Sequence, residues 1–242
     1  MKLFEIAQRS VKFKALLLAG PPASGKSYLF KNNPSLNQFP HLNTDTFRHS
    51  EARRKGLDLN NINNEKHIIS GVMDETVVWL FNHVIYGEPI IIETTADRKS
   101  NFEKRISTLQ SLGYDVGLVY THTTKELSYK AEEERRKKEN RTVDVDTMNR
   151  MWDDMPTRLA EISNVLGKDN FLYLPREQMD FTNQHRMKFE DFLQKFMFSP
   201  NTNPKGFKMR QQMKNSSDHT IITMNDDNVY NLYMLLSSWF DK

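Results

Sequence analysis

Apolar and polar positions alternate along this chain in runs of two lengths. Short apolar runs at residues 15–19, 89–93, 116–121 and 171–174 have strand length, and 41–44 is a weaker fifth. Longer stretches with helical periodicity separate them. Over 65–86, Ile68, Ile69, Val72, Met73, Val77, Leu80, Phe81, Val84 and Ile85 recur near a 3.6-residue period, which predicts a long helix with one buried face. Further helices are predicted over 26–33, 97–112, 125–138 and 146–166. The second and fourth stop at Gly113 and Gly167, and Pro156 is expected to kink the fourth. Thr123 followed by Glu126 reads as a capping box for the third. Strands alternating with helices predict an α/β fold of three layers, with a central parallel sheet of about five strands.

After Pro175 the alternation stops. Residues 178–198 read as one amphipathic helix carrying Phe181, Met187, Phe189, Phe192, Leu193 and Phe196. From 199 to 217 there are four cations (Lys205, Lys208, Arg210, Lys214) and no acid. A solvated connector is the favoured reading, ahead of a phosphate-contacting patch. A short strand at 220–224 and a helix at 227–240 complete the chain. The pattern divides it into a domain at 1–198 and a C-terminal α/β appendage at 199–242. Whether the appendage packs on the core, a protein partner or a ligand stays open.

Composition narrows the function class. The chain is 38% hydrophobic and 27% charged, enough for a sizeable core. A net charge of +3 does not announce a nucleic-acid binder. With no cysteine there is no disulfide framework, thiol nucleophile or Cys-ligated zinc. No run of apolar residues is long enough to cross a membrane, and 15–19 is too short for a signal-peptide core. The expectation is a cytoplasmic protein without a membrane partner. The seven histidines show no metal-ligand spacing, and His49 is expected on an exposed helical position. Trp79 and Trp152 are expected in the core, and Trp239 is a candidate anchor for the appendage.

The sharpest chemical signal is Gly20-Pro21-Pro22-Ala23-Ser24-Gly25-Lys26-Ser27, which meets G-x-x-x-x-G-K-[ST] at every fixed position. A predicted strand precedes it and Tyr28-Leu29-Phe30 continues it into a helix. Glycines let backbone N–H groups turn toward phosphates, and the helix N-terminus adds positive potential. Residues 20–28 are therefore predicted to hold ATP, with Lys26 at the β- and γ-phosphates and Ser27 in the Mg²⁺ shell. The GTPase markers are missing, with no N-K-x-D and no D-x-x-G after the loop, and there is no strand ending in Asp-Glu such as a motor ATPase would want. A strand ending in a single Glu93 suits a small phosphotransferase kinase. Asp45, after the second strand, can accept a proton from an attacking hydroxyl. Arg48 shares its helical face and can grip an anionic acceptor. Capping of the next helix by Thr44 or Asp45 is the alternative.

The segments GPPASGKS, NTDTFR, IIIETT and LGYDVGLVYT, in that order, resemble the zeta-toxin and polynucleotide-kinase group of P-loop kinases over roughly residues 14–175. The resemblance implies that Asp45 is the general base, that Arg48 contacts the acceptor, and that Glu93 and Thr95 line the acceptor pocket. The chain departs from the group at Thr94, where glycine is usual, and residues 199–242 match neither subgroup. Kinases of this architecture close an arginine-bearing lid over the γ-phosphate. Residues 132–141 are the candidate lid. Arg141 leads, because Asn140-Arg141-Thr142-Val143 resembles the group's G-R-x-V turn, followed by Arg136 and Arg135. A solvated helix with Glu132–Arg136 and Glu134–Lys138 pairs is the alternative for this stretch.

The expected activity is transfer of the γ-phosphoryl group of ATP to a hydroxyl. The zeta-type resemblance implies a nucleotide-sugar acceptor. The polynucleotide-kinase resemblance implies a hydroxyl on DNA or RNA, at a 5′ end or a modified base. A different class of reading is an ATP-binding switch whose appendage engages a protein partner.

Overall fold

A parallel sheet of five strands in the order β2-β3-β1-β4-β5 organises the molecule. The structure, a computed structural model, describes residues 12–59, 65–94, 99–139, 149, 152, 155–176, 181–214 and 226–240. The strands are β1 Lys14–Ala19, β2 His41–Leu42, β3 Ile90–Thr94, β4 Asp115–Thr123 and β5 Phe171–Arg176. All pairings are parallel. β1 sits at the centre and every one of its residues is buried, as expected of a strand covered on both faces. β2 is an edge of two residues, too short for a clear sequence pattern.

The helices are α1 Lys26–Lys31, α2 Thr44–Lys55, α3 Glu65–Val84, α4 Lys99–Ser111, α5 Lys125–Glu139, α6 Met155–Leu166, α7 Asn183–Met197, α8 Pro204–Lys214 and α9 Asp226–Ser237. The period-2 alternation of β1 sorts them into two layers. Ala15, Leu17 and Ala19 face a core built with α3, α4, α6 and α9. Leu16 and Leu18 face a second core, filled by Leu29 of α1 and by Phe189, Phe192, Leu193 and Phe196 of α7. The α/β class and the five-strand parallel sheet expected from the alternation are those of the structure.

Several local expectations change. The cap of α5 is Thr124, whose hydroxyl accepts from Leu127 N at 3.2 Å; Thr123 is the last residue of β4, fully buried. Of 146–154 only Asn149 and Trp152 are described, both helical, and residues 220–224 lie outside the described residues. The basic stretch is not a bare connector, since 204–214 forms α8. Among the described residues no helix is long and apolar enough to cross a membrane.

The C-terminal segment packs on the core. Leu232, Leu236 and Trp239 are buried in the α3/α4 layer, and the Arg105 guanidinium lies 6.0 Å from the Trp239 ring centre. At its start the segment is tied to the amino ends of β1 and β4. Asp115 accepts from Lys14 Nζ at 2.7 Å, from the backbone N–H groups of Thr202 and Asn203 at 2.8 Å, and from the Thr202 hydroxyl at 3.0 Å. A buried carboxylate with its oxygens this fully engaged avoids the penalty of an unpaired charge. Trp239→Ala should therefore destabilise the whole protein by about 3–5 kcal/mol, the usual cost of emptying a large aromatic site. The denaturation midpoint checks it, and a midpoint within error of wild type would make the segment a separate unit.

α2 owes its position to Glu51. This carboxylate is buried against α3, where a side chain at Gly71 would collide with it. It accepts two bonds from Arg54, both at 2.7 Å, and lies 2.8 Å from Lys55 Nζ. The Arg54 and Lys55 hydrogen bonds hold its carboxyl at a pKa of about 2, below the ordinary 4.5. A depressed folded-state pKa contributes stability above the unfolded pKa and loses it as pH falls through the folded one. The stability difference between wild type and Glu51→Gln should be constant above about pH 4.5 and shrink toward pH 2. Urea midpoints across that range measure it; a difference independent of pH would remove Glu51 as the titrating group.

Candidate active site

The carboxyl end of β1 opens into the glycine loop. Gly25 has φ 96°, a left-handed conformation in which it caps α1 without a side chain. Gly20 has φ 148°, and a Cβ there would stand 2.2 Å from the carbonyl oxygen of Thr121. The loop is pinned from outside: Ser24 Oγ and Thr121 Oγ1 are 2.7 Å apart, and Ser128 Oγ of α5 donates to the Pro22 carbonyl at 2.7 Å. Lys26 Nζ turns back into the loop and donates to the Gly20 and Pro21 carbonyls at 2.8 and 2.9 Å. The ammonium thus sits within the ring of backbone that the motif builds. Tyr28 stacks on Phe181, ring centres 5.9 Å apart, at one end of a cavity of about 390 Å³ between α1 and α7.

β3 delivers Glu93 to the same place. The β1–β3 register pairs Ala19 with Thr94, so the end of β3 lies beside the root of the loop. Ser27 Oγ donates to Glu93 Oε2 at 3.0 Å, and Asn43 Nδ2 donates to the same oxygen at 3.3 Å. His41 Nε2 stands 3.1 Å from Glu93 Oε1, but neither atom has a hydrogen-bond partner of good geometry. The His41 ring is itself stacked on Phe30 of α1, centres 3.8 Å apart. Glu93 is thus embraced by the loop serine and the β2 end, at 7% side-chain exposure.

Asp45 and Arg48 lie three residues apart on α2, one turn from each other on the same side. The residue that caps α2 is Asn43, whose side chain accepts from Asp45 N at 3.0 Å. Neither Thr44 nor Asp45 is the cap, so the carboxylate of Asp45 is not committed to that task. Thr94, where the resembling group carries glycine, is buried; its hydroxyl accepts from Arg105 Nη1 at 2.9 Å, the same arginine that lies over Trp239.

The structure brings residues 20–28 and Glu93 together and sets Asp45 and Arg48 on the helix whose cap touches Glu93. Thr95 and Arg141 lie outside the described residues. Arg135 and Arg136 are on α5, but their side chains, like that of Lys138, are outside the description; the surface pair seen there is Lys137–Glu133 at 2.9 Å. His41, Asn43, Thr121 and Ser128 were not singled out from the sequence. Asn43 alone had a legible signal, as a capping residue type just ahead of a helix.

Comparison with known proteins bears on the fold and the family. The fold resembles a protein of Chloroflexus aurantiacus j-10-fl provisionally assigned as a kinase, at 15% identity and a TM-score of 0.52, over 76% of this chain and 100% of that one. It also resembles a structure from the PezAT chromosomal toxin-antitoxin system of Streptococcus pneumoniae, at 15% identity and a TM-score of 0.52, over 88% of this chain and 91% of that one. No curated protein matches the sequence. The family model described as Zeta toxin matches residues 3–182, a span that contains the loop, Asp45, Glu93 and all five strands and runs to the cap of α7. With its nucleotide-side architecture covered from one end to the other, the chain belongs to the zeta toxin family, a group of P-loop kinases.

Proposed function

We propose that this protein transfers the γ-phosphoryl group of ATP to a hydroxyl of a nucleotide-sugar. The observation that carries the proposal is the contact between Ser27 and Glu93. A serine that donates its proton to a carboxylate turns a lone pair the other way, toward the phosphate site, and a hard oxygen donor there suits Mg²⁺. The residues fit that ion: the loop hydroxyl, and a buried Glu93 Oε1 that makes no hydrogen bond of good geometry, with His41 Nε2 3.1 Å away. Among the described residues no cluster of three or more His, Asp or Glu could hold a metal alone. Mg²⁺ bound through Ser27, phosphate oxygens and water needs no such cluster. The bound ion would neutralise phosphate charge.

In this reading Lys26 exchanges its loop carbonyls for β- and γ-phosphate oxygens. Asp45 takes the acceptor's proton, Arg48 grips the acceptor, and Glu93 serves the Ser27 side of the site; Thr95, on the resemblance, lines the acceptor pocket. Arg141 and Arg136 close over the γ-phosphate. The nucleoside end of ATP follows α1 toward Tyr28 and the cavity beside it.

A nucleotide-sugar is favoured over nucleic acid by where the basic stretch lies. Asn201 donates to the Phe13 and Gly113 carbonyls, and Lys205 Nζ to the Ser111 carbonyl. α8 is therefore at the amino end of β1, roughly 20 Å along a six-residue strand from the loop. Lys205, the first cation of the stretch, is thus held at the end of the sheet opposite the loop. The test is γ-labelled ATP offered in parallel to UDP-sugars, a 5′-hydroxyl DNA oligonucleotide and RNA. Label on a UDP-sugar is the expected result. Label on an oligonucleotide alone would move the acceptor to nucleic acid, and ADP formation that ignores every acceptor would favour a nucleotide switch.

A further inference from the structure

We infer that Asn43 is a positioning residue that joins the metal side of the site to the helix carrying the proposed base, an inference that rests on the kinase reading above. One amide side chain makes both connections. Its Oδ1 accepts from Asp45 N at 3.0 Å and so caps α2. Its Nδ2 donates to Glu93 Oε2 at 3.3 Å, the oxygen that also receives the Ser27 hydroxyl at 3.0 Å. The chain of contacts therefore runs from Ser27 through Glu93 and Asn43 to the backbone of Asp45. The planar amide has a donor and an acceptor on opposite corners, which is what a link between a carboxylate and a helix N–H requires.

The surroundings restrict Glu93 to this arrangement. On the other side His41 Nε2 stands 3.1 Å from Glu93 Oε1, with its ring stacked on Phe30, so the carboxylate is bounded there by a packed ring. Ser27 would offer a metal its lone pair while its hydroxyl hydrogen stays directed at Glu93, and Asn43 would hold Glu93 in place. Coupling of this kind is reciprocal: an ordered metal site steadies the first turn of α2, and a capped α2 steadies the metal site. Groups that hold a ligand's partner in this way typically change metal affinity by about 10–100-fold when removed.

The experiment separates cap from link with three variants of the full chain. Serine and aspartate both cap a helix, but serine is too short to reach Glu93 and aspartate offers no donor; alanine does neither. Binding of the fluorescent probe mant-ADP is titrated with Mg²⁺ and, separately, in EDTA. Thermal midpoints and hydrogen exchange over residues 44–48 are recorded in the same conditions. Wild type should gain affinity with Mg²⁺ and protect the first turn of α2. Asn43→Ser should keep the wild-type midpoint, lose most of the Mg²⁺-dependent gain, about tenfold, and lose the Mg²⁺-dependent protection; Asn43→Asp, which sets a second carboxylate against Glu93, should lose the same gain and also lower the midpoint. Asn43→Ala should lose the midpoint as well. The inference is overturned if Asn43→Ser shows the wild-type Mg²⁺ gain, or if the loss tracks the fall in midpoint across the three variants. A wild-type protein that binds no mant-ADP with or without Mg²⁺ would instead overturn the kinase reading on which the inference stands.

Discussion

Asp45→Asn should reduce phosphoryl transfer by roughly 10² to 10⁴, the range a positioned general base contributes. Asparagine keeps the size of the side chain and removes its capacity to take a proton. The structure sharpens the test, because the cap of α2 belongs to Asn43 and the substitution leaves it intact. Folding stability and mant-ADP affinity should change little, so the loss would lie in turnover. Arg48→Ala, one turn along α2, should behave differently. It removes a proposed acceptor contact, so the acceptor KM should rise more than kcat falls. Single-turnover rates with a saturating acceptor separate the two. If Asp45→Asn kept more than about a tenth of wild-type turnover, the base would have to be sought elsewhere. Glu93 would be the first candidate, although it is already held by Ser27 and Asn43.

Lys26→Met should abolish stabilisation by ATP. A ligand at 100 times its dissociation constant adds about 2.7 kcal/mol to a protein that binds it only when folded. The lysine is the one loop side chain with a full positive charge, and its ammonium lies against the Gly20 and Pro21 carbonyls, inside the ring where phosphate oxygens would sit. Methionine retains the length and the apolar stem but not the charge. The apo midpoint should move little, and the shift on adding ATP should vanish in a thermal melt. A variant that still shifted like wild type would place the nucleotide elsewhere, with the cavity between α1 and α7 the next site to examine.

Each failed expectation in the fold has a local cause. The cap of α5 moved by one residue because β4 runs on to Thr123, and two adjacent threonines offer the same capping chemistry. α8 was hidden by its own sequence: its basic, acid-free stretch reads as a connector, yet Pro204 stands at the first helical position, where its missing N–H is one the helix does not use. Thr94 looked like a defect in a motif. Its hydroxyl is satisfied by Arg105, and Arg105 in turn lies over a tryptophan from the C-terminal segment. The segment that carries no family signal is thus the one whose tryptophan lies over the arginine that holds the end of β3.

The phosphate loop, the alternation of strand and helix and the position of Asp45 were legible in the sequence alone, because each depends on neighbours within a few residues: a glycine spacing, a hydrophobic period, a carboxylate just past a strand. Which residues surround Glu93 was decided only in three dimensions. Ser27, His41 and Asn43 stand 66, 52 and 50 positions away along the chain, and no local pattern ties them to it. They meet because β3 inserts between β2 and β1 in the register that sets Thr94 against Ala19. Strand order and register are settled by how the whole sheet buries its two faces, and that is a property of the assembled core rather than of any one segment.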